Sequence, residues 1–224
     1  MHNNIQKEEF PLSDLQQAYL IGKKYSSKYE RTGCHIYYEI KETNLNVEKL
    51  QNSWNELIRN HEMLRDLVLE NSKQCIQPET TPYRFKVYDV KQFDDVRNRM
   101  SNKIYNAGDY PLYEIAITKI NEEEWIIHIS MDEWIVDAVS ISILFRQWYC
   151  LYHDIIPEYT QYEFKNYINE RKELKNSNRY RNDLEYWKKK FKLIDDNELS
   201  ILIKNNEIDG HRNYFTFCFD KEKS

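Results

Sequence analysis

The chain has 224 residues, 32 of them basic and 37 acidic, for a net charge of −5 at neutral pH. That length supports one large domain or two small ones with a real core, and the mild acidity argues against nucleic acid as a partner. Only four glycines occur, scattered at Gly22, Gly33, Gly108 and Gly210, so the clustered glycines of a dinucleotide fingerprint or P-loop are missing.

The pattern along the chain alternates helix and strand signals. Residues 1–9 are polar and read as a flexible N-terminus with no apolar signal region. Ser13 can cap a helix with Leu15, Ala18 and Tyr19 on one face. Residues 34–40 (CHIYYEI) read as a strand. Leu50, Trp54, Leu57 and Ile58 recur at helical spacing, and strands are expected at 64–69 and 84–88. Phe93, Val96, Met100 and Ile104 mark a further helix within 91–105. After Pro111, strands at 112–120 and 124–131 are joined by the acidic turn Asn121-Glu122-Glu123. In the second strand Trp125, Ile127, Ile129 and Met131 share one face, with Ile126, His128 and Ser130 on the other.

Ile141, Leu144, Phe145, Trp148 and Tyr152 then give a helix with a wide buried face over 138–152. Helices follow near 161–174 and 179–192, the second with Tyr180, Leu184, Trp187 and Phe191 as its core stripe and Lys188, Lys189 and Lys190 on a solvated face. The stretch 195–211 is polar, with turn signals at Asn205-Asn206 and Asp209-Gly210, and 214–219 reads as a last strand.

Cys34, Cys75, Cys150 and Cys218 show no metal-ligand spacing, and a disulfide framework is not expected in so long a chain. No apolar run approaches the ~18 residues of a membrane span, so the simplest home is a reducing cytoplasm, with no membrane partner. His61 and His128 have no carboxylate or serine partner nearby in sequence and read as structural or surface histidines.

The most informative segment is 128–140, HISMDEWIVDAVS. A strand delivers Asp132 at its end and a helix begins near Asp137, the kind of junction where sites sit in α/β sheets. Asp132, Asp137 and Ser140 form a D-x4-D-x2-S pattern. Helix capping alone accounts for Asp137 and Ser140.

This pattern resembles the signature of the heterocyclization domains of nonribosomal peptide synthetases, where it replaces the H-H-x3-D-G of ordinary condensation domains. Other stretches match in order. Phe10-Pro11-Leu12-Ser13-Asp14-Leu15-Gln16-Gln17-Ala18-Tyr19-Leu20-Ile21-Gly22-Lys23 is similar to the family's opening motif, ending on lysine where the family has arginine. Arg59-Asn60-His61-Glu62-Met63-Leu64-Arg65 resembles R-H-x-M-L-R with one extra residue. Pro111-Leu112-Tyr113-Glu114-Ile115 resembles P-L-[FY]-[DE]-I. Phe164-Lys165-Asn166-Tyr167-Ile168 and Tyr186-Trp187 are similar to the later helices.

The resemblance implies an α/β fold: the N-terminal lobe of a chloramphenicol-acetyltransferase-like two-lobe domain, a mixed sheet flanked by helices. Residues 10–194 would form the lobe, and 195–224 a polar connector and final strand leading toward a C-terminal lobe that this chain lacks. The implied activity condenses a carrier-bound acyl group with Cys, Ser or Thr and cyclises the product to a thiazoline or oxazoline. Asp132, Glu133 and Ser140 would be catalytic positions lining the tunnel. Asp137 would be structural, in a buried ion pair with Arg65, since a buried aspartate is costly without a partner.

The chain itself would bind no cofactor and no metal. Peptidyl or aryl carrier proteins would bring the phosphopantetheine arm, and the C-terminal lobe would act in cis or in trans. An isolated lobe would expose an apolar face and could form a homodimer.

Two residues depart from the pattern. Glu133 stands where heterocyclization domains carry an apolar residue; a raised pKa would let it assist amine deprotonation, whereas solvation or the nearby helix N-terminus would explain it without chemistry. Ala138 replaces the usual glycine. A non-catalytic carrier-binding or scaffold module, and an amide-forming condensation lobe, remain open alternatives at this point.

Overall fold

The computed structural model describes residues 8–25, 34–78 and 81–192. The expected polar connector, the strand at 214–219 and Cys218 lie outside the described residues, as do positions 1–7.

Two sheets and six helices make up the described chain. A small antiparallel sheet has the order β1-β4-β3, formed by Glu9–Pro11, Lys73–Ile76 and Asp66–Val68. A larger sheet has the order β2-β7-β6-β5, formed by His35–Thr43, Glu124–Asp132, Tyr113–Lys119 and Lys86–Asp89. Its β5–β6 pair is parallel and the other pairs are antiparallel, which makes it mixed. The helices are α1 (Asp14–Tyr25), α2 (Val47–Asn60), α3 (Phe93–Ser101), α4 (Ala138–Tyr152), α5 (Phe164–Leu174) and α6 (Asn178–Phe191). The expected mixed sheet flanked by helices is what forms.

The alternation read along β7 sorts the two faces of the large sheet. Ile127, Ile129 and Met131 join Tyr113, Ile115 and Ile117 in the main core, against Trp54 and Leu57 of α2 and Leu144 and Trp148 of α4. Burying each such side chain contributes about 1.5–3 kcal/mol. On the reverse face Ala116 packs under Val96 and Met100 of α3.

His128 is fully buried there. Its Nδ1 meets the Tyr37 hydroxyl at 2.7 Å and its Nε2 meets Thr118 Oγ1 at 2.9 Å. Tyr37 donates to Glu39 (2.7 Å), which Arg97 clasps with two bonds of 2.7 and 2.6 Å. Burial pushes the His128 pKa down to about 4, so the ring is neutral and structural. His61 is likewise committed, to Gln147 Oε1 at 2.5 Å.

Several expectations are corrected. The strand expected from residue 64 begins only at Asp66, because 62–65 form a 3₁₀ turn. Glu9, placed in the flexible N-terminus, pairs with Cys75 in β1. On α1, Leu15 faces solvent at 60% exposure while Gln16 and Leu20 are buried. The α6 stripe is not core: Trp187 is 58% and Phe191 67% exposed.

Candidate functional site

The corner between β7 and α4 holds the predicted site residues. Asp132 ends β7 and is fully buried. Its backbone N–H donates to the Leu112 carbonyl at 3.0 Å, which fixes the strand end. Both side-chain oxygens are engaged: Oδ2 by Lys23 Nζ at 2.6 Å, and Oδ1 by the Trp134 N–H at 2.9 Å.

The Lys23 ammonium also donates to the Tyr105 carbonyl at 3.0 Å and sits 3.7 Å from the centre of the Trp134 ring. A carboxylate, a carbonyl and a π face thus compensate one nearly buried cation. Burial raises the Asp132 pKa, and the Lys23 charge pulls it back. The resemblance implies a catalytic place for Asp132; in the structure both of its oxygens are bonded, and it ties α1 to the corner.

Amide groups complete this anchor. Gln16 Nε2 donates to the Trp134 carbonyl at 2.9 Å, and Trp134 Nε1 donates back to the Gln16 carbonyl at 3.0 Å. Gln16 and Gln74 exchange side-chain hydrogen bonds of 3.0 and 3.1 Å, and Gln74 Nε2 also donates to the Pro11 carbonyl at 3.0 Å. Ser13 and Gln16 form a capping box at the start of α1, with bonds of 2.8 and 3.1 Å. Lys23 and Gln16 were both visible in the opening motif, yet neither was singled out as a site residue.

Glu133 lies in the turn after β7, half-buried, with its N–H donating to the Cys34 carbonyl at 2.9 Å. Its Oε2 accepts a bond of 3.3 Å from the Tyr19 hydroxyl, and among the described residues it forms no ion pair. Burial, then the Glu133 charge, raises the Tyr19 pKa, which keeps that hydroxyl a donor. Cys34 is pushed up by burial and by Glu133 and Asp132, so it is held as a thiol.

Asp137 and Ser140 form a capping unit. Asp137 is the N-cap of α4, and its Oδ1 accepts from the Ser140 N–H (2.8 Å) and the Ser140 hydroxyl (2.7 Å). These bonds hold the exposed Asp137 carboxyl below its ordinary range.

The expected buried pairing of Asp137 with Arg65 does not form. Arg65 Nε donates to the Ile58 carbonyl at 3.1 Å and its Nη1 to the Gln77 carbonyl at 2.8 Å. The guanidinium is drawn to one carbonyl in the last turn of α2, where the helix end favours a cation, and to another just after β4, while the N-terminus of α4 satisfies Asp137. Structure therefore brings Asp132, Glu133, Asp137 and Ser140 to one corner and leaves Arg65 beyond it. No group of three or more His, Cys, Asp and Glu among the described residues is placed to hold a metal ion.

Comparison with known proteins places this geometry. The family model for the Condensation domain matches residues 6–222. The chain belongs to the condensation-domain family. It is 27% identical over 192 residues to bacitracin synthase 1 of Bacillus licheniformis, covering 80% of this chain and 4% of that protein. Pyochelin synthetase PchF of Pseudomonas aeruginosa is 24% identical over 198 residues, covering 82% of this chain and 11% of PchF. Phenyloxazoline synthase MbtB of Mycobacterium tuberculosis is 26% identical over 168 residues, covering 71% of this chain and 12% of MbtB.

Among solved structures, the cyclization-docking bidomain of the nonribosomal peptide synthetase EpoB from Sorangium cellulosum superposes with a TM-score of 0.75 at 26% identity, covering 81% of this chain and 39% of that one. The fold is therefore that of nonribosomal peptide synthetase condensation domains. The chain spans well under half the length of these relatives.

Proposed function

We propose that the chain is part of a heterocyclization domain, a condensation domain that also closes a ring. In this reading the amine of a carrier-bound Cys, Ser or Thr attacks a carrier-bound acyl thioester, and the acyl carrier's thiol leaves as the amide forms. The side-chain thiol or hydroxyl then adds to the new carbonyl, and loss of water gives the thiazoline or oxazoline. The phosphopantetheine arms belong to the carrier proteins, and the second lobe supplies the other wall of the site.

The observation that carries the reading is the corner itself. Position 132 holds an aspartate whose two oxygens are already spent on Lys23 and Trp134. Such a residue organises the site and is not a free base, which sets it apart from a histidine-based condensation centre. The names of PchF, MbtB and the EpoB bidomain support the same reading. Glu133, bonded only to a tyrosine hydroxyl among the described side chains, is the carboxylate of the corner assigned as general base, while Ser140, in the first turn of α4, donates its hydroxyl to Asp137.

The test is reconstitution of the chain with a C-terminal lobe and loaded carriers, read by product mass. A product one water lighter than the open amide supports heterocyclization. Open amide alone would establish the amide-forming alternative, and no condensation at all would leave a carrier-binding module. Glu133→Gln is expected to slow condensation by about 10²–10⁴-fold, the usual worth of a general base. An unchanged rate would remove Glu133 from the chemistry.

A further inference from the structure

A second concave feature lies at the β5 edge of the large sheet. A cavity of about 550 Å³ is lined by four basic side chains, Arg84, Lys86, Arg99 and Lys103, against two carboxylates, Asp109 and Glu114. Glu114 is bound by both Arg99 (2.8 Å) and Lys103 (2.6 Å). Burial alone would raise its pKa, but those two cations override it and hold the carboxyl at about 2. One permanent anion is thus shared by two cations.

Asp109 turns back to accept the Asn106 N–H at 2.8 Å. Arg84 and Lys86 are exposed, and neither side chain forms an ion pair or hydrogen bond among the described residues. Two positive charges therefore stand in excess around one concavity. The Tyr83 hydroxyl accepts the Ile115 N–H at 3.0 Å, leaving its own proton to donate.

The cavity continues into a second of about 360 Å³, which shares Tyr83, Arg84, Tyr110, Pro111 and Tyr113 with the first and adds Arg59, itself paired with Glu56. Tyrosine rings and Arg84 thus stand where the two chambers meet. Among common small anions, a phosphate monoester matches that excess, carrying about −1.5 to −2 charges near neutrality with oxygens suited to a guanidinium fork.

We propose that this groove binds a small phosphate ester, its dianionic head among Arg84, Lys86 and Lys103 and its organic tail along Tyr83, Tyr110 and Pro111. The site is separate from the residues given the condensation chemistry and does not depend on that reading. It nevertheless lies at the same end of the sheet: Tyr105 lines the cavity, and its carbonyl binds Lys23.

The test titrates the 224-residue chain with inorganic phosphate, phenyl phosphate and benzoate at fixed ionic strength, by calorimetry. Phenyl phosphate should bind saturably, at least tenfold more tightly than either other probe. The double variant Arg84→Ala, Lys86→Ala should weaken it a further tenfold or more, about 1.4 kcal/mol. Both side chains are exposed, so the fold should persist, as circular dichroism would verify. Tyr110→Ala should weaken phenyl phosphate and leave inorganic phosphate unchanged, and Lys188→Ala on α6 should bind as the parent does. Equal affinity for benzoate and phenyl phosphate, full binding by the double variant, or no saturable binding at millimolar concentration would each overturn the proposal.

Discussion

Asp66→Asn gives a direct reading of the chain's interior electrostatics. Asp66, 1% exposed, opens β3, and neither of its carboxyl oxygens has a hydrogen bond of ordinary geometry among the described residues, the Leu67 N–H being a weak neighbour at most. Burial pushes its pKa up to about 8, opposed in part by the Leu67 N–H and reinforced by the charge of Glu62. The ordinary value is 3.8, so between 3.8 and about 8 the folded chain binds one proton more than the unfolded chain.

Stability therefore falls as pH rises through that window, at about 1.4 kcal/mol per unit. The full interval amounts to at most about 6 kcal/mol, a large share of the 5–15 kcal/mol that typically holds a domain together. Asparagine keeps the shape and removes the titration. Urea unfolding of parent and variant from pH 4 to 8 should show the variant gaining on the parent steadily, by several kcal/mol at the alkaline end. Parallel pH profiles would refute the reasoning, because every other titrating group cancels in the difference.

Lys23→Met should destabilise by about 3–5 kcal/mol, since it strands the buried Asp132 carboxylate, and should lower Tm by roughly 6–20 °C. Adding Asp132→Asn should recover part of that loss, and simple additivity of the two would deny the coupling. Asp137→Ala should cost only about 1 kcal/mol, the worth of an N-cap. Because the folded Asp137 pKa lies below the unfolded one, that contribution is present above pH ~4 and fades as acid titrates the folded carboxyl; thermal melts at pH 7 showing a loss of 3 kcal/mol or more would restore a buried pairing. Trp187→Lys with Phe191→Lys should suppress self-association of the chain in sedimentation equilibrium, given the exposed stripe on α6. A monomeric parent at high concentration would count against an adhesive face.

The β6–β7 hairpin, α2 and α4 were legible because each carries a strong apolar period against the same core. Strands β1 and β4 were not: EFP and KQCI are too short and too polar to signal, and they exist only by pairing with each other and with β3. The α6 stripe has the helical period of a buried face but meets no described partner, so periodicity identified the helix and misjudged its surroundings. At the site, the positions of Asp132, Asp137 and Ser140 and the capping of α4 by Asp137 followed from spacing, whereas the bonding of Asp132 to Lys23 and Trp134 did not. Arg65 is a clear case: sequence offers it an aspartate, and the fold offers it two backbone carbonyls already in place.

The error on α1 explains how the corner is built. Apolar spacing put Leu15, Ala18 and Tyr19 on one inward face, but only Tyr19 of the three turns to the corner: beside buried Leu20, the polar Gln16, Tyr19 and Lys23 follow at helical intervals of three and four. Each hydrogen-bonds one residue of the corner, and the order runs antiparallel. Gln16 bonds Trp134, Tyr19 bonds Glu133 and Lys23 bonds Asp132. One helical face thus meets three consecutive residues of the turn after β7. Rotating α1 by one residue, about 100°, would bury Leu15 and strand an aspartate, a lysine and two glutamines without partners, together a loss larger than one leucine repays. Polar satisfaction, not hydrophobicity, therefore sets the angle of this helix, and in doing so it ties the opening motif to the corner that carries the aspartates.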